Sequence, residues 1–101
     1  MTPETAFYFA KARELLLQAE AIKALGFSDA AGRSAYLAAF HAAQALISER
    51  TGRAVKTHRG VRSEFHRLTR GETRFDESLK EFLGSAYELK TAADYLTGPS
   101  A

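Results

Sequence analysis

Apolar residues recur every three to four positions in four segments of the chain, and turn residues separate these segments. This spacing is typical of amphipathic helices whose apolar stripes face a shared core. The second segment carries Tyr36, Phe40, Ala43 and Ile47 on one side, among many further alanines that allow close helix packing. No segment alternates as a strand would. The pattern predicts an all-α fold, an up-and-down bundle of four helices.

Capping and turn residues set the predicted helix boundaries. Thr2, Ser28, Thr57 and Asp76 are the predicted N-caps, because their side chains accept hydrogen bonds from the first helical turn. The predicted helices cover residues 3–25, 29–50 and 58–70, and the fourth follows Asp76. In the first helix the predicted core stripe is Tyr8, Ala12, Leu15, Ala19 and Ile22, widened by Leu16.

Length and composition narrow the class of protein. A chain of 101 residues is expected to form one domain, covering residues 1–101. It has no cysteine, which excludes disulfides and thiolate metal sites. No secretory leader or membrane-spanning apolar run is apparent, so we expect a cytoplasmic protein without membrane contact. The net charge of only +2 gives no global argument for nucleic-acid binding.

The distribution of charge is more informative than its sum. In the third predicted helix Arg59, Arg62, His66 and Arg70 are spaced three or four residues apart, with Arg67 beside them. Such a stripe is either a solvated face or a surface that contacts RNA phosphates. The three histidines are spread over two helices without metal-ligand spacing, so no metal and no cofactor are expected.

Three segments, in order, resemble the small bacterial HEPN-domain proteins: RSAYLAAFHAA from Arg33, KTHRGV from Lys56, and ADY from Ala93. The resemblance implies a homodimer and a toxin-antitoxin pairing with a minimal nucleotidyltransferase. It also implies a further C-terminal helix, which this chain, ending at Ala101, would lack or borrow from a partner.

Many HEPN domains are metal-independent RNases that use an arginine followed after four to six residues by a histidine. By resemblance, the late position of that arginine holds Lys90, and five residues on the chain has Tyr95. Arg59 and His66 fit the spacing, but in the third helix. Two functions therefore stay open. One is an endoribonuclease toxin using Arg59, His66, Lys90 and Tyr95, and the other is a non-catalytic module that binds RNA, a nucleotide or a protein.

Three further residues form a candidate structural or site network. Arg33 lies at the edge of an apolar stripe, where a charge needs a partner, and Asp94 on the fourth helix can supply it. Lys90 would extend this network. His58, at the start of the third helix, is expected either to hydrogen-bond a neighbouring element or to take part in catalysis.

Overall fold

The computed structural model describes residues 1–71, which form three α-helices: α1 (Pro3–Ala24), α2 (Ser28–Thr51) and α3 (His58–Thr69). No strand occurs in this range, so the all-α prediction is confirmed here. The predicted fourth helix, together with Lys90, Asp94 and Tyr95, lies outside the described residues. The four-helix count and the single domain therefore stay predictions.

Helix α1 begins at the predicted residue and ends at Ala24, one residue before the predicted end. Thr2 is the N-cap, and its Oγ1 accepts a hydrogen bond from the Thr5 amide at 3.1 Å, with Pro3 in the first turn. After Ala24 the chain turns at Gly26, whose φ of 89° is accessible at little cost only to glycine. Three residues then connect α1 to α2, which produces the predicted antiparallel hairpin.

The predicted cap of α2 is wrong by one residue. Ser28 is already helical, and the N-cap is Phe27, which makes no side-chain capping bond. The short connection explains this shift, because the Phe27 carbonyl already accepts the first helical hydrogen bond, from the Ala31 amide at 2.9 Å. At the other end α2 stops at Gly52, which has a left-handed φ of 72°.

Helix α2 lies between α1 and α3, which do not contact each other. On the α3 side a buried cluster holds six side chains: Tyr36, Phe40, Ala43, Ile47, Val61 and Phe65. On the α1 side the contacts are small or polar. Ser34 Oγ donates to the Leu15 carbonyl at 2.9 Å, and Thr5 Oγ1 donates to Ser48 Oγ at 3.1 Å. The central helix is thus covered on two sides.

The predicted core stripe of α1 is narrower in the structure. Tyr8, Ala12 and Ala19 are buried, but Leu16 is 50% exposed. Small residues of α1 face the alanines and serines of α2, so the two helices approach closely and leave Leu16 at the edge of their interface. There it borders an open groove of about 330 Å³ beside Gly32 and Ala35.

None of the three described helices combines the length and apolarity needed to cross a membrane.

Two glycines should respond oppositely to alanine. A Cβ at Gly60 would lie 2.7 Å from Thr57 Oγ1 and 2.9 Å from Val55 Cγ1, whereas one at Gly32 meets nothing within 4 Å. We expect Gly32→Ala to raise the free energy of unfolding by about 0.5–1 kcal/mol through helix propensity. Gly60→Ala should lower it by about 1–2 kcal/mol, because the cap must shift. Urea denaturation of both variants measures this, and a stabilised Gly60→Ala would contradict it.

Candidate nucleic-acid interface

The start of α3 is fixed by its cap and by a preceding loop attached to α2. Thr57 Oγ1 accepts a hydrogen bond from the Gly60 amide at 2.9 Å. Gln44 of α2 is buried and donates from Nε2 to the Val55 carbonyl at 2.8 Å, while its Oε1 accepts from His41 Nδ1 at 2.6 Å. The apolar pattern of α2 does not predict this role of Gln44. The sequence feature that could have revealed this role is a polar residue on an otherwise apolar side of the helix.

His58 connects the first turn of α3 to the aromatic side chains of α2. Its Nδ1 is hydrogen-bonded to Tyr36 Oη at 2.6 Å, and the two rings stack with centroids 5.5 Å apart. The Phe40 ring stacks on His58 at 4.4 Å. His58 is half-buried and Tyr36 is fully buried. The pair therefore fixes the rotation of α3 about its own axis.

The rest of α3 buries one side against α2. Val61 and Phe65 are buried, Leu68 is only partly buried, and Thr69 is fully buried. Thr69 satisfies its hydroxyl by donating to the Phe65 carbonyl at 2.7 Å. Because of this local bond, a polar residue can occupy a core position that a hydrophobicity pattern does not predict.

The predicted basic stripe occupies one side of α3. At about 100° per residue, Arg59, Arg62 and His66 fall within an arc of about 60°, and Arg70 follows as the C-cap of the helix. Arg59, His66 and Arg70 are exposed, and Arg62 is half-buried. We call this surface the basic side of α3.

The single acidic residue of α3 is Glu64, which lies on a different side of the helix. Glu64 lies at least about 120° around the helix from the basic side. Its carboxylate pairs with Arg67 at 2.7 Å and with Arg53 at 3.2 Å. Within residues 1–71, Arg59, His66 and Arg70 have no ion-pair or hydrogen-bond partner. Their positive potential is therefore not cancelled by this part of the protein.

Arg59 and His66 share this side but are separated along the helix. Seven residues at the α-helical rise correspond to about 10 Å along the axis. At this separation the two side chains can contact different phosphates of one strand.

The remaining predicted site residues are only partly covered by the structure. Arg33 is half-buried on α2, one turn before Tyr36. Its predicted partner Asp94, with Lys90 and Tyr95, lies outside the described residues. Within residues 1–71 no group of three or more histidine, cysteine or acidic side chains is arranged to hold a metal ion.

Comparison with known proteins agrees with this arrangement of helices. The family model of the HEPN domain matches residues 5–100, which is nearly the whole chain. The protein therefore belongs to the HEPN family. No curated protein matches the sequence.

Two tyrosines provide a matched test of the His58 anchor. Tyr36→Phe removes the hydroxyl that bonds His58 and keeps the ring, so the free energy of unfolding should fall by about 1–2 kcal/mol. The Tyr8 hydroxyl has no hydrogen-bond partner within the described part of the protein. Tyr8→Phe should consequently change stability by less than about 0.5 kcal/mol. Chemical denaturation of both variants measures the difference, and equal stabilities would refute the anchor.

Proposed function

We propose that this HEPN domain is the RNA-binding module of a toxin-antitoxin-like system and that it works in the cytoplasm as a homodimer with a nucleotidyltransferase partner. Its own catalytic motif is degenerate. HEPN domains are known in RNase toxins and in such two-component modules, which supports the class of system. The nucleotidyltransferase partner rests on the sequence resemblance alone.

The observation that carries the RNA-binding proposal is the exposed charge of Arg59 and Arg70, which have no ion-pair partner within residues 1–71. Phosphate contacts require exposed cations at helical spacing and no base-specific side chains. Arg59 and Arg70 meet this requirement, and His66 lies between them as a further donor. A nucleotide, which offers the same phosphate chemistry, is a smaller ligand of the same surface.

The substitutions at the family's catalytic positions favour binding over cleavage. Lys90 keeps a positive charge but lacks the planar guanidinium that binds a phosphate through two parallel hydrogen bonds. Tyr95, with an unperturbed pKa of about 10, is a poor proton acceptor near neutral pH. Loss of both preferred groups removes the general acid-base pair that such cleavage requires.

One observation supports the alternative, an active metal-independent endoribonuclease. Arg59 and His66 are both exposed on the same side of α3 and keep the spacing expected of the motif. An imidazole for proton transfer and a guanidinium for transition-state charge are the groups that this reaction uses.

Charge-matched variants on α3 test the binding surface. Arg59→Gln or Arg70→Gln should each weaken binding of a labelled single-stranded RNA by about threefold to tenfold at low salt, since each removes one phosphate contact. Arg67→Gln removes the same charge from the same helix, but from the side that Glu64 compensates. It should change affinity by less than about twofold. Fluorescence anisotropy measures all three, and an equal loss in Arg67→Gln would contradict the assigned surface.

Incubation of a mixed RNA pool with purified protein in chelator separates the two functions. The binding proposal predicts intact RNA. Cleavage that disappears in Lys90→Ala or in His66→Ala would instead establish the nuclease and show which of these residues carries it.

A further inference from the structure

Within residues 1–71, two polar atoms at the contact between α1 and α2 have no hydrogen-bond partner: Tyr8 Oη and His41 Nε2. The Tyr8 ring is buried and lies nearly parallel to the His41 ring, with an interplanar angle of 11° and centroids 6.3 Å apart. Neither atom is enclosed by the described residues, so both stay accessible to solvent. The two helices thus present a free hydroxyl beside a free imidazole nitrogen.

The hydrogen bonds behind His41 fix which of its nitrogens carries the proton. The Val55 carbonyl can only accept a hydrogen bond, so the Gln44 amide turns its Nε2 donor towards it, at 2.8 Å. Gln44 Oε1 therefore faces His41 Nδ1 at 2.6 Å, and Nδ1 is the protonated nitrogen of the neutral ring. His41 Nε2 is left with a free lone pair, which accepts a hydrogen bond from solvent or from a ligand.

This pair of atoms lies close to the start of α3. The Phe40 ring is 5.4 Å from the His41 ring and 4.4 Å from the His58 ring, so the two imidazoles are at most about 10 Å apart. Arg59, the first residue of the basic side of α3, follows His58 directly. A distance of about 10 Å corresponds to roughly three stacked nucleotides, at about 3.4 Å for each nucleotide of a strand. An RNA strand on the basic side of α3 is therefore within reach of Tyr8 and His41.

The two free atoms require a ligand group that both donates and accepts a hydrogen bond. The Nε2 lone pair needs a donor, and Tyr8 Oη can donate in turn. Phosphate oxygens only accept, so a phosphate does not fit Nε2. The ribose 2′-hydroxyl is both a donor and an acceptor, and DNA lacks it. Base edges also donate, but they differ from one nucleotide to the next, whereas the 2′-hydroxyl occurs at every position of RNA.

From this match we infer that His41 Nε2 and Tyr8 Oη bind a ribose 2′-hydroxyl and thereby make the protein prefer RNA to DNA. His41 accepts the hydroxyl proton, and Tyr8 donates to the hydroxyl oxygen. This inference rests on the RNA binding of the proposed function and adds the residues that recognise the sugar. The basic side of α3 does not supply this preference, because RNA and DNA carry the same phosphates.

One single-stranded sequence, prepared as RNA, as DNA and as 2′-O-methyl RNA, tests the preference. At a pH above the usual imidazole pKa, the unmodified chain should bind the RNA about tenfold more tightly than the other two, because two hydrogen bonds are added. Fluorescence anisotropy at one salt concentration gives the three dissociation constants. Equal affinities for RNA and DNA would overturn this inference and leave phosphate binding by α3 intact. No binding of any of the three would overturn the proposed function as well.

Two substitutions remove the proposed contacts and keep the hydrogen bonds behind them. Tyr8→Phe removes the hydroxyl and keeps the ring beside His41. His41→Asn removes Nε2, while its amide lies near the position of Nδ1 and keeps a donor for Gln44 Oε1. Each should weaken RNA binding about threefold and change DNA binding by less than about twofold. Arg59→Gln is the matched control, because loss of a phosphate contact should weaken RNA and DNA binding equally.

The ratio of RNA to DNA affinity decides the outcome. Tyr8→Phe and His41→Asn should lower this ratio, whereas Arg59→Gln should leave it unchanged. Circular dichroism shows which variants are folded, and Tyr8→Phe decides alone if His41→Asn is not. A folded Tyr8→Phe variant with an unchanged ratio would overturn the assignment.

Nuclear magnetic resonance tests the contact at His41 directly. A long-range hydrogen–nitrogen correlation spectrum of the free chain should show a protonated Nδ1 and an unprotonated Nε2 in the neutral ring. Addition of the RNA should shift the Nε2 resonance, because its lone pair becomes hydrogen-bonded to the sugar, whereas the DNA of the same sequence should leave it nearly unchanged. A protonated Nε2 in the neutral free ring, or equal shifts with RNA and DNA, would overturn the inference.

Discussion

The contact between His58 and the aromatic side chains of α2 is the constraint on which the orientation of α3 depends. Helix α3 has only 12 residues, a length at which an isolated helix is marginal in water. Its contacts with α2 must therefore hold α3 in place. The bond from His58 to Tyr36 and the stack on Phe40 act at its first turn, while Val61 and Phe65 bury the following turns. With this rotation fixed, the basic side cannot turn towards α2.

The sequence predicted most of this framework, because its signals were local. The periodicity of α2 and the Thr57 cap each follow from neighbouring residues and agree with the structure. The errors at Ser28 and Leu16 have a different origin. They depend on how short the α1–α2 connection is and how closely the two helices approach, which are properties of the packed pair. The burial of Thr69 likewise depends on a hydrogen bond to the preceding turn.

For the candidate site, the sequence identified the basic residues. It did not show which of them are paired with acidic side chains from other elements. A helical projection groups Arg59, His66 and Arg70, yet it does not show where acidic side chains from other elements will lie. Arg53 comes from the loop after α2, and only the folded chain brings it to Glu64. Arg50, at the end of α2, is also used internally, donating from Nη1 to the Leu68 carbonyl at 3.1 Å. Arg59 and Arg70, which are exposed and have no ion-pair partner within residues 1–71, define the surface proposed to bind RNA.

The dependence of RNA affinity on salt tests the central claim most directly. If Arg59, Arg70 and one neighbouring basic side chain contact phosphates of a single strand, the logarithm of the binding constant should fall linearly with the logarithm of salt concentration. The expected slope is about −2, at roughly −0.7 for each of the three contacts. A titration from dilute to physiological salt gives this slope for the unmodified chain. A flat dependence would contradict phosphate binding by the basic side of α3.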